Sequence, residues 1–257
     1  MMTNRFKQAE VFNSLTVETP FIARVDGWAF HTFTKDYERP FDMRMFKAMS
    51  ETTAEVMNVF KPAMAAWHSD EVSFIFTKKP TEVHETGVFT RVEKIDSLVA
   101  SSFASRFSLK TNKPVGFDCR LIPLKTLEDI RAYLEWRQDD SYRNFVYGWT
   151  DWMARNPLGN LKLSPAAAAK RLGGLNRQEQ IALCLENGMN LDDKPLWQKR
   201  GVVFYWETYP KEGFNPLTKE TVMVDRRRVK TDIEVPEFKA AEGKDFLTRV
   251  LGTHWMG

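Results

Sequence analysis

Two acidic residues, Asp26 and Asp70, are the best candidates for chemistry in this chain because of where they stand. Asp26 follows an apolar run at 21–25, and Asp70 lies in a polar stretch at 68–71 that separates two apolar runs. Carboxylate oxygens are ligands that Mg²⁺ prefers, and water and phosphate usually fill its other positions. Two such ions can activate an attacking oxygen and stabilise a leaving pyrophosphate. Glu71 is adjacent and is a third candidate, either as a ligand or as its support.

Gly27 follows Asp26 directly and suggests a phosphate contact. A residue without a Cβ lets the backbone approach a phosphate or a metal closely, and the N–H groups of the segment at 27–31 can line a triphosphate. The residues alone leave a simpler interpretation open. Asp-Gly is also an ordinary turn, and Ser-Asp-Glu is an ordinary hairpin tip.

The order of predicted elements places these carboxylates together. Apolar runs predict strands at 21–25, 63–67, 72–76 and 117–121, and apolar spacings of three, four and seven predict helices at 45–60 and about 89–107. The order βαββαβ is that of the ferredoxin-like fold. We therefore predict an α+β palm, an antiparallel sheet with both helices on one face and both carboxylates at one edge. Many non-enzymes share this arrangement.

The second half of the chain is predicted to be mainly helical. Thr126 with Asp129 resembles a capping pair that opens a long helix through Trp136, which can extend beyond Trp149. Further helices are predicted from Ser164 to Gly173 and from Asn176 to about Gly188. A strand is predicted at 201–207, and an extended segment after Pro210. We predict a palm domain at 1–125 and an appendage at 126–257, packed as one compact unit.

Composition excludes some classes of protein but does not identify the function. Hydrophobic residues make up 43% of the 257, which is enough for a core, and the net charge is only +3. The two cysteines lie far apart, and no apolar run approaches the roughly 20 residues of a membrane span. We expect a cytoplasmic protein without a membrane segment. The basic run at 226–230 fits either an RNA contact or an exposed polar strand.

An ordered series of motifs resembles the tRNA-histidine guanylyltransferase family. The match runs from about residue 20 to about residue 206, and the series is far more specific than any one piece. Its first metal motif is similar to Arg24-Val25-Asp26-Gly27 with Phe30, His31 and Phe33, followed by Arg39-Pro40, Asp42 and Arg44. Its second is similar to Ser69-Asp70-Glu71-Val72-Ser73-Phe74-Ile75-Phe76. Later stretches are similar to Lys94, Val99-Ala100-Ser101, Phe103-Ala104-Ser105, Phe117-Asp118-Cys119-Arg120, Tyr133-Leu134-Glu135-Trp136-Arg137-Gln138 and Lys199-Arg200-Gly201-Val202-Val203.

The resemblance implies nucleotide addition in the 3′-5′ direction to the 5′ end of RNA, after the 5′ phosphate has been activated. It implies two Mg²⁺ on Asp26, the Gly27 carbonyl and Asp70, with ATP and GTP as substrates. The triphosphate would be contacted by Gly27, Trp28, Ala29, Phe30, His31 and Ser69. Candidates for phosphate, activation-site or RNA contacts are Arg39, Arg44, Arg91, Lys94, Asn144, Arg177 and Lys199. The family also implies a homotetramer.

One stretch departs from the family pattern and bears on the substrate. After Gln138 the eukaryotic enzymes carry His-Ile-Asn-Asn-Leu-Tyr-Asn, whereas this chain has Tyr142-Arg143-Asn144-Phe145-Val146-Tyr147-Gly148, in which only Asn144 and Tyr147 agree. Arg177 also stands where members tend to have lysine. The chain therefore resembles the like-protein branch, which repairs truncated tRNA 5′ ends under the direction of a template.

Two other functions are compatible with the same residues. A nucleotidyl cyclase or cyclic-oligonucleotide synthase would use the same pair of carboxylates on the same palm without holding RNA. A non-catalytic RNA-binding module would need neither carboxylate. Magnesium-dependent nucleotide binding would argue against the second alternative, and a search for a cyclic product would test the first.

Overall fold

A single antiparallel sheet organises the part of the chain described by the computed structural model, which covers residues 5–77, 90–156, 158–215, 217 and 219–255. Among these residues six strands pair in the order β4-β1-β3-β2-β5-β6. Their bounds are β1 Phe21–Gly27, β2 Met64–His68, β3 Glu71–Phe76, β4 Phe117–Pro123, β5 Val202–Asn215 and β6 Glu220–Asp232. The four predicted palm strands are therefore present, with β1 and the β2–β3 hairpin in the centre.

The helices of the described residues are α1 Arg5–Gln8, α2 Phe30–Phe33, α3 Met43–Phe60, α4 Val92–Thr111, α5 Leu127–Arg155, α6 Pro165–Leu172, α7 Arg177–Glu186, α8 Leu196–Arg200 and α9 Ala241–Trp255. Helices α3 to α7 were predicted and follow the predicted order, whereas α1, α2, α8 and α9 were not predicted. Thr126 and Asn176 each form a complete capping box, and Ser164 caps α6. The predicted start of the second palm helix, near residue 89, lies outside the described residues.

The two faces of the sheet are buried by different helices because side chains alternate along each strand. Phe21, Ala23 and Val25 of β1 face a core formed with α3 and α4. Ile22 of β1 faces a second core formed with α5 and α9. Both palm helices thus lie on one face, as predicted, and the second half of the chain covers the other.

The structure differs from the predicted extended segment after Pro210. Strand β5 continues through Pro210 to Asn215, β6 pairs with it over its whole length, and α9 follows. Only the first part of β5 pairs with β2, up to the pair Met64 and Tyr205. The rest of the hairpin is mostly exposed on both sides, and its apolar residues Phe214, Val222 and Met223 are exposed as well. Its apolar positions therefore do not alternate with polar ones as they do in a half-buried strand. The basic run at 226–230 lies on the mostly exposed β6.

None of the helices in the described ranges is long and apolar enough to cross a lipid bilayer.

We predict that Tyr133→Phe destabilises the junction between α5 and the sheet. The Tyr133 hydroxyl and the Ser73 hydroxyl are 2.7 Å apart and buried, so the variant leaves the Ser73 group without this partner. The free energy of unfolding should fall by about 1–2 kcal/mol, measured by urea denaturation. Tyr147, on the same helix, is 50% exposed, and Tyr147→Phe should change stability by less than about 0.5 kcal/mol. Equal effects of the two variants would contradict the prediction.

Candidate active site

The end of β1 and the tip of the β2–β3 hairpin meet at one edge of the sheet. Asp26 lies opposite Glu71 of β3 in the strand register. One step further, the N–H of Gly27 donates to the carbonyl of Asp70 over 3.2 Å. This hydrogen bond joins the segments that carry Asp26 and Asp70, which are 44 positions apart in the sequence. The predicted convergence of the two acidic residues is therefore present.

Hydrogen bonds fix the hairpin tip that carries Asp70. Ser69 has a left-handed backbone conformation, with φ of 53°. The indole N–H of Trp67 donates to the Ser69 carbonyl over 2.8 Å, and the Ser69 hydroxyl donates to Asp70 Oδ1 over 3.0 Å. Trp67 itself is buried. The turn is therefore anchored to the core, which limits the positions that the Asp70 carboxylate can take.

The electrostatics of the pair favour a bound cation. Burial raises the pKa of Asp70, and the nearby Asp26 carboxylate raises it further. The ion pairs of the described residues include Glu71 but neither Asp26 nor Asp70. The described residues contain no group of three or more histidine, cysteine or acidic side chains arranged for a metal. Two carboxylates and a carbonyl suit Mg²⁺, which takes its remaining ligands from water and phosphate.

Glu71 is held by two arginines. The guanidinium Nε of Arg137 donates to Glu71 Oε1 over 2.8 Å, and Arg24 Nε lies 3.6 Å from Oε2. Glu71 is 7% exposed. Burial raises the pKa of this carboxyl, and the two arginines oppose that effect. Because both oxygens already have cationic partners, we propose that Glu71 positions the strand end beside Asp26 and does not itself ligate metal.

Packing requires a glycine at position 27, whether or not its backbone binds a metal or a phosphate. A Cβ at this position would lie 2.3 Å from Cδ2 of Phe30. The Phe30 ring is 8% exposed and packs against Phe107 and Phe117, with centroids 5.9 and 5.8 Å apart. The predicted contact of Phe30 with a nucleotide is therefore restricted mainly to its backbone.

The segment at 27–31 was predicted to line a triphosphate with its N–H groups, and this prediction is wrong for two of them. The N–H of Gly27 is bonded to Asp70, and the N–H of Trp28 donates to the Gly116 carbonyl over 2.9 Å. These two amides are therefore not free for a phosphate, which leaves those of Ala29, Phe30 and His31 as the candidates. The Trp28 side chain is 74% exposed, and Ala29 adopts a left-handed conformation that starts α2.

A cavity of about 330 Å³ opens beside Asp70. Aromatic rings form much of its wall, and Phe46 and Phe41 both contact Trp197, with centroids 4.7 and 5.5 Å apart. This volume is at the small end of the range for ligand pockets and suits a nucleoside. The cavity brings together six of the predicted site residues, which are Phe30, His31, Arg39, Ser69, Asp70 and Asn144.

Five predicted basic contacts do not line this cavity, namely Arg44, Arg91, Lys94, Arg177 and Lys199. Most have protein partners. Arg44 pairs with Asp42 and holds the pKa of that carboxyl well below its usual range. Arg91 pairs with Glu93, Arg177 with Asp139, and Lys199 donates to the Asp192 carbonyl. Their predicted contacts with RNA or phosphate remain predictions for surfaces outside the cavity.

Sequence reasoning missed several residues that shape the site. His68 lines the cavity, and its Nε2 lies 3.3 Å from Arg137. Gln198 and Trp197 of α8 also line it. Arg137 was part of a matched stretch and could have been assigned from that motif. The aromatic wall had no local signal, because its members come from four separate segments.

Comparisons with known proteins agree with this geometry. A family model described as "tRNAHis guanylyltransferase" matches residues 3–125, and one described as "Thg1 C terminal domain" matches residues 128–241. The tRNA(His) guanylyltransferase of Debaryomyces hansenii is 29% identical over 91% of this chain and 92% of its own length. That of Candida glabrata is 30% identical over 76% of this chain and 86% of its own.

Solved structures give the same result. A "Bacterial tRNA(HIS) Guanylyltransferase (Thg1)-Like Protein in complex with ATP" has a TM-score of 0.71 and 25% identity, covering 96% of this chain and 95% of its own. The Saccharomyces cerevisiae enzyme has a TM-score of 0.66 and 26% identity, covering 78% and 91%. The chain therefore belongs to the tRNA(His) guanylyltransferase family, whose members are nucleotidyltransferases that add G to the 5′ end of histidine tRNA.

We predict that Asp70→Asn has opposite effects on stability and on activity. Removing a half-buried charge that repels Asp26 should raise the melting temperature in EDTA, and loss of a metal ligand should abolish further stabilisation by Mg²⁺ with GTP. Activity should fall at least about 100-fold, because metal-ion stabilisation of charge is worth several kcal/mol.

Asp151→Asn is the matched control for Asp70→Asn. Asp151 lies on α5, is 26% exposed and pairs with Arg155. This variant should keep the stabilisation by Mg²⁺ and GTP. Thermal shift assays with and without Mg²⁺ measure both variants, and a normal shift in Asp70→Asn would contradict the assigned role.

We also predict that Gly27→Ala displaces Phe30 and costs about 1–3 kcal/mol, as other overpacked cores do. Activity should fall with it, because the same segment carries Asp26. Gly116→Ala is the control, since its Cβ would lie at an ordinary 3.5 Å from Trp28. Urea denaturation and nucleotide addition measure both. Full activity and stability of Gly27→Ala would show that the ring contact is unimportant.

Proposed function

We propose that the protein adds nucleotides in the 3′-5′ direction to the 5′ end of tRNA, as directed by the opposite strand. The observation that carries this proposal is the hydrogen bond between the Gly27 N–H and the Asp70 carbonyl. It brings two acidic residues to one edge of a palm sheet, beside a cavity of nucleoside size. Membership of a nucleotidyltransferase family supports the same chemistry.

Two Mg²⁺ ions would be held by the carboxylates of Asp26 and Asp70 and the carbonyl of Gly27. When bound, Mg²⁺ makes a ribose hydroxyl easier to deprotonate and neutralises a leaving pyrophosphate. The donor set fits because it offers hard oxygen ligands and the pair of like charges has no protein cation beside it among the described ion pairs.

The cavity would hold a nucleoside triphosphate. Its aromatic wall gives a base apolar and π surfaces, which are worth about 1–3 kcal/mol per stacked base. At the polar end the Ser69 hydroxyl and the exposed Arg39 offer hydrogen bonds and positive charge to phosphate oxygens. Solved complexes of bacterial like-proteins contain GTP in one case and ATP in another, and we infer that this chain takes both.

The family resemblance implies two displacements at phosphorus. In the first, the RNA 5′ phosphate attacks the α-phosphate of ATP and pyrophosphate leaves. In the second, the 3′ hydroxyl of an incoming nucleotide attacks the activated 5′ phosphate and AMP leaves. In both steps the protein's residues hold the reacting phosphates in line and keep them next to Asp26 and Asp70.

Residues in one wall of the cavity favour repair of truncated ends over strict histidine-tRNA guanylylation. Of the residues in this stretch that differ from the eukaryotic pattern, Phe145 and Gly148 line the cavity. Their differences therefore lie at the site itself and alter its shape. A cytoplasmic location and a homotetramer remain predictions from the sequence.

We predict that a tRNA lacking its first 5′ nucleotide is extended by the base that pairs with its partner in the opposite strand. Changing that partner should change the added nucleotide. Labelled nucleotides and gel analysis of the product measure the result. A single G added to full-length histidine tRNA regardless of the partner would contradict repair, and a cyclic product from nucleotide alone would favour the cyclase alternative.

Asn144→Ala tests the contribution of the cavity wall to this reaction. We expect at least about a tenfold loss of extension, since removing a hydrogen bond to a charged group costs about 1.5–3 kcal/mol. The control Asn58→Ala removes an exposed asparagine on α3 that bonds only to the Ala54 carbonyl among the described contacts. Equal activity of the two variants would argue against a nucleotide contact at Asn144.

A further inference from the structure

Arg137 of α5 contacts the hairpin tip that carries Asp70 at both of its ends. His68 and Glu71 are paired across β2 and β3. They flank the two residues of the tip, Ser69 and Asp70. The Nε of Arg137 donates to Glu71 Oε1 over 2.8 Å, and its Nη2 lies 3.3 Å from His68 Nε2. One guanidinium therefore bridges the last residue of β2 and the first residue of β3.

The chemistry of the side chain explains why this bridge depends on arginine. A guanidinium has donors only, so the Nε2 of His68 must accept its hydrogen bond. The Nε and Nη2 atoms belong to one planar group, which presents their N–H bonds at a fixed angle. A lysine ammonium is a point charge on a flexible chain and does not hold two partners at a set spacing.

Arg137 is itself fixed by two neighbours on α5. Its Nη2 group also donates to Asp140 Oδ2 over 2.9 Å, and the centroid of the Trp136 ring lies 4.4 Å from the guanidinium carbon. The Arg137 side chain is 13% exposed and does not line the nucleotide cavity. A nucleotide in the cavity would not contact it, so its contacts act on the hairpin.

The tip is thereby held from both faces of the sheet. Side chains alternate along a strand, so Trp67 and His68 point to opposite faces. Trp67 lies in the core formed with α3 and α4, and its indole donates to the Ser69 carbonyl. Arg137 contacts the tip from the face that α5 covers. Without Arg137, Asp70 would lie on a two-residue turn anchored from one face.

We propose that Arg137 is a positioning residue that fixes the Asp70 carboxylate in the place where it binds a divalent cation. The inference rests on one part of the proposed function, namely that Asp70 is a metal ligand. Groups that orient metal ligands contribute about 10- to 100-fold to metal affinity. Arg137 would act through His68 and Glu71, without touching the ion or the nucleotide.

The test measures the dissociation constant of Mn²⁺ in the presence of GTP by electron paramagnetic resonance, which needs no turnover. Arg137→Lys keeps the charge and loses the bridge, so Mn²⁺ should bind about 10- to 100-fold more weakly. Arg131→Lys makes the same substitution earlier on α5, where Arg131 pairs with Glu128 and Glu135. This control should keep the Mn²⁺ affinity within about twofold, because such partly exposed ion pairs contribute little.

The Mg²⁺ dependence of tRNA extension separates a positioning role from general damage to the fold. In Arg137→Lys the Mg²⁺ concentration for half-maximal extension should rise at least about tenfold. At saturating Mg²⁺ the rate should return to within about threefold of the unchanged protein, because the bound ion then holds the tip in place. A rate that stays low at every Mg²⁺ concentration would overturn the inference.

Asp140→Asn tests the same bridge without changing Arg137. It removes the charge that orients the Nη2 group, so Mn²⁺ should bind about three- to tenfold more weakly. The matched control is Asp151→Asn, further along α5, where Asp151 pairs with Arg155. Melting temperatures show whether each variant is folded. If Arg137→Lys does not fold, the Mn²⁺ affinity of Asp140→Asn decides the question.

The outcomes separate this inference from the proposed function. If the protein extends truncated tRNA but Arg137→Lys and Asp140→Asn bind Mn²⁺ as tightly as the unchanged protein, the inference is wrong and the proposed function stands. Equal losses of affinity in the two control variants would also overturn it. Weakened Mn²⁺ binding in a protein that extends no tRNA would support the bridge and contradict the proposed function. If the unchanged protein binds no Mn²⁺ with GTP, both fail.

Discussion

The closeness of two like-charged carboxylates is the constraint on which the rest of this structure depends. Asp26 and Asp70 lie next to each other at a sheet edge, and burial together with their mutual repulsion raises the pKa of Asp70. Such a pair is unfavourable without a cation. The fold tolerates it because the Gly27–Asp70 hydrogen bond and the anchored turn at Ser69 hold the two segments together. We propose that the same features leave the pair accessible to a divalent cation and a triphosphate.

Helix α5 connects this edge to the second half of the chain. Its 29 residues contact three parts of the molecule in succession. Tyr133 bonds to Ser73 in the sheet, Arg137 bonds to Glu71 beside the carboxylates, and Asn144 lines the cavity. Because one rigid helix makes all three contacts, the second half of the chain is a structural part of the site. A separate appendage would not fix the carboxylates and the cavity wall together.

Much of this arrangement was predictable from the sequence. The apolar runs around Asp26 and Asp70 and the caps at Thr126, Ser164 and Asn176 are local signals, and the structure confirms the elements that they predicted. The part of the hairpin after Pro210 was missed because both of its faces are mostly exposed and its residues lack the alternation of a half-buried strand.

The details of the site were harder to predict from the sequence, because they depend on contacts between distant segments. The amide of Trp28 bonds to Gly116, and the ring of Phe30 enters the core. Neither fact has a signature in the residues nearby. The cavity wall is likewise assembled from α2, the loop between α2 and α3, α3, the β2–β3 hairpin, α5 and α8. Gln198 and Trp197 therefore became candidates only once these elements were packed.

The most direct test of the paired carboxylates is to count the divalent ions bound with a nucleotide. Electron paramagnetic resonance of Mn²⁺, titrated in the presence of GTP, reports bound ions without requiring catalysis. We predict two Mn²⁺ per chain, and a loss of at least one in the variant with both Asp26→Asn and Asp70→Asn. The same two ions in that variant, or none in the unchanged protein, would contradict the account.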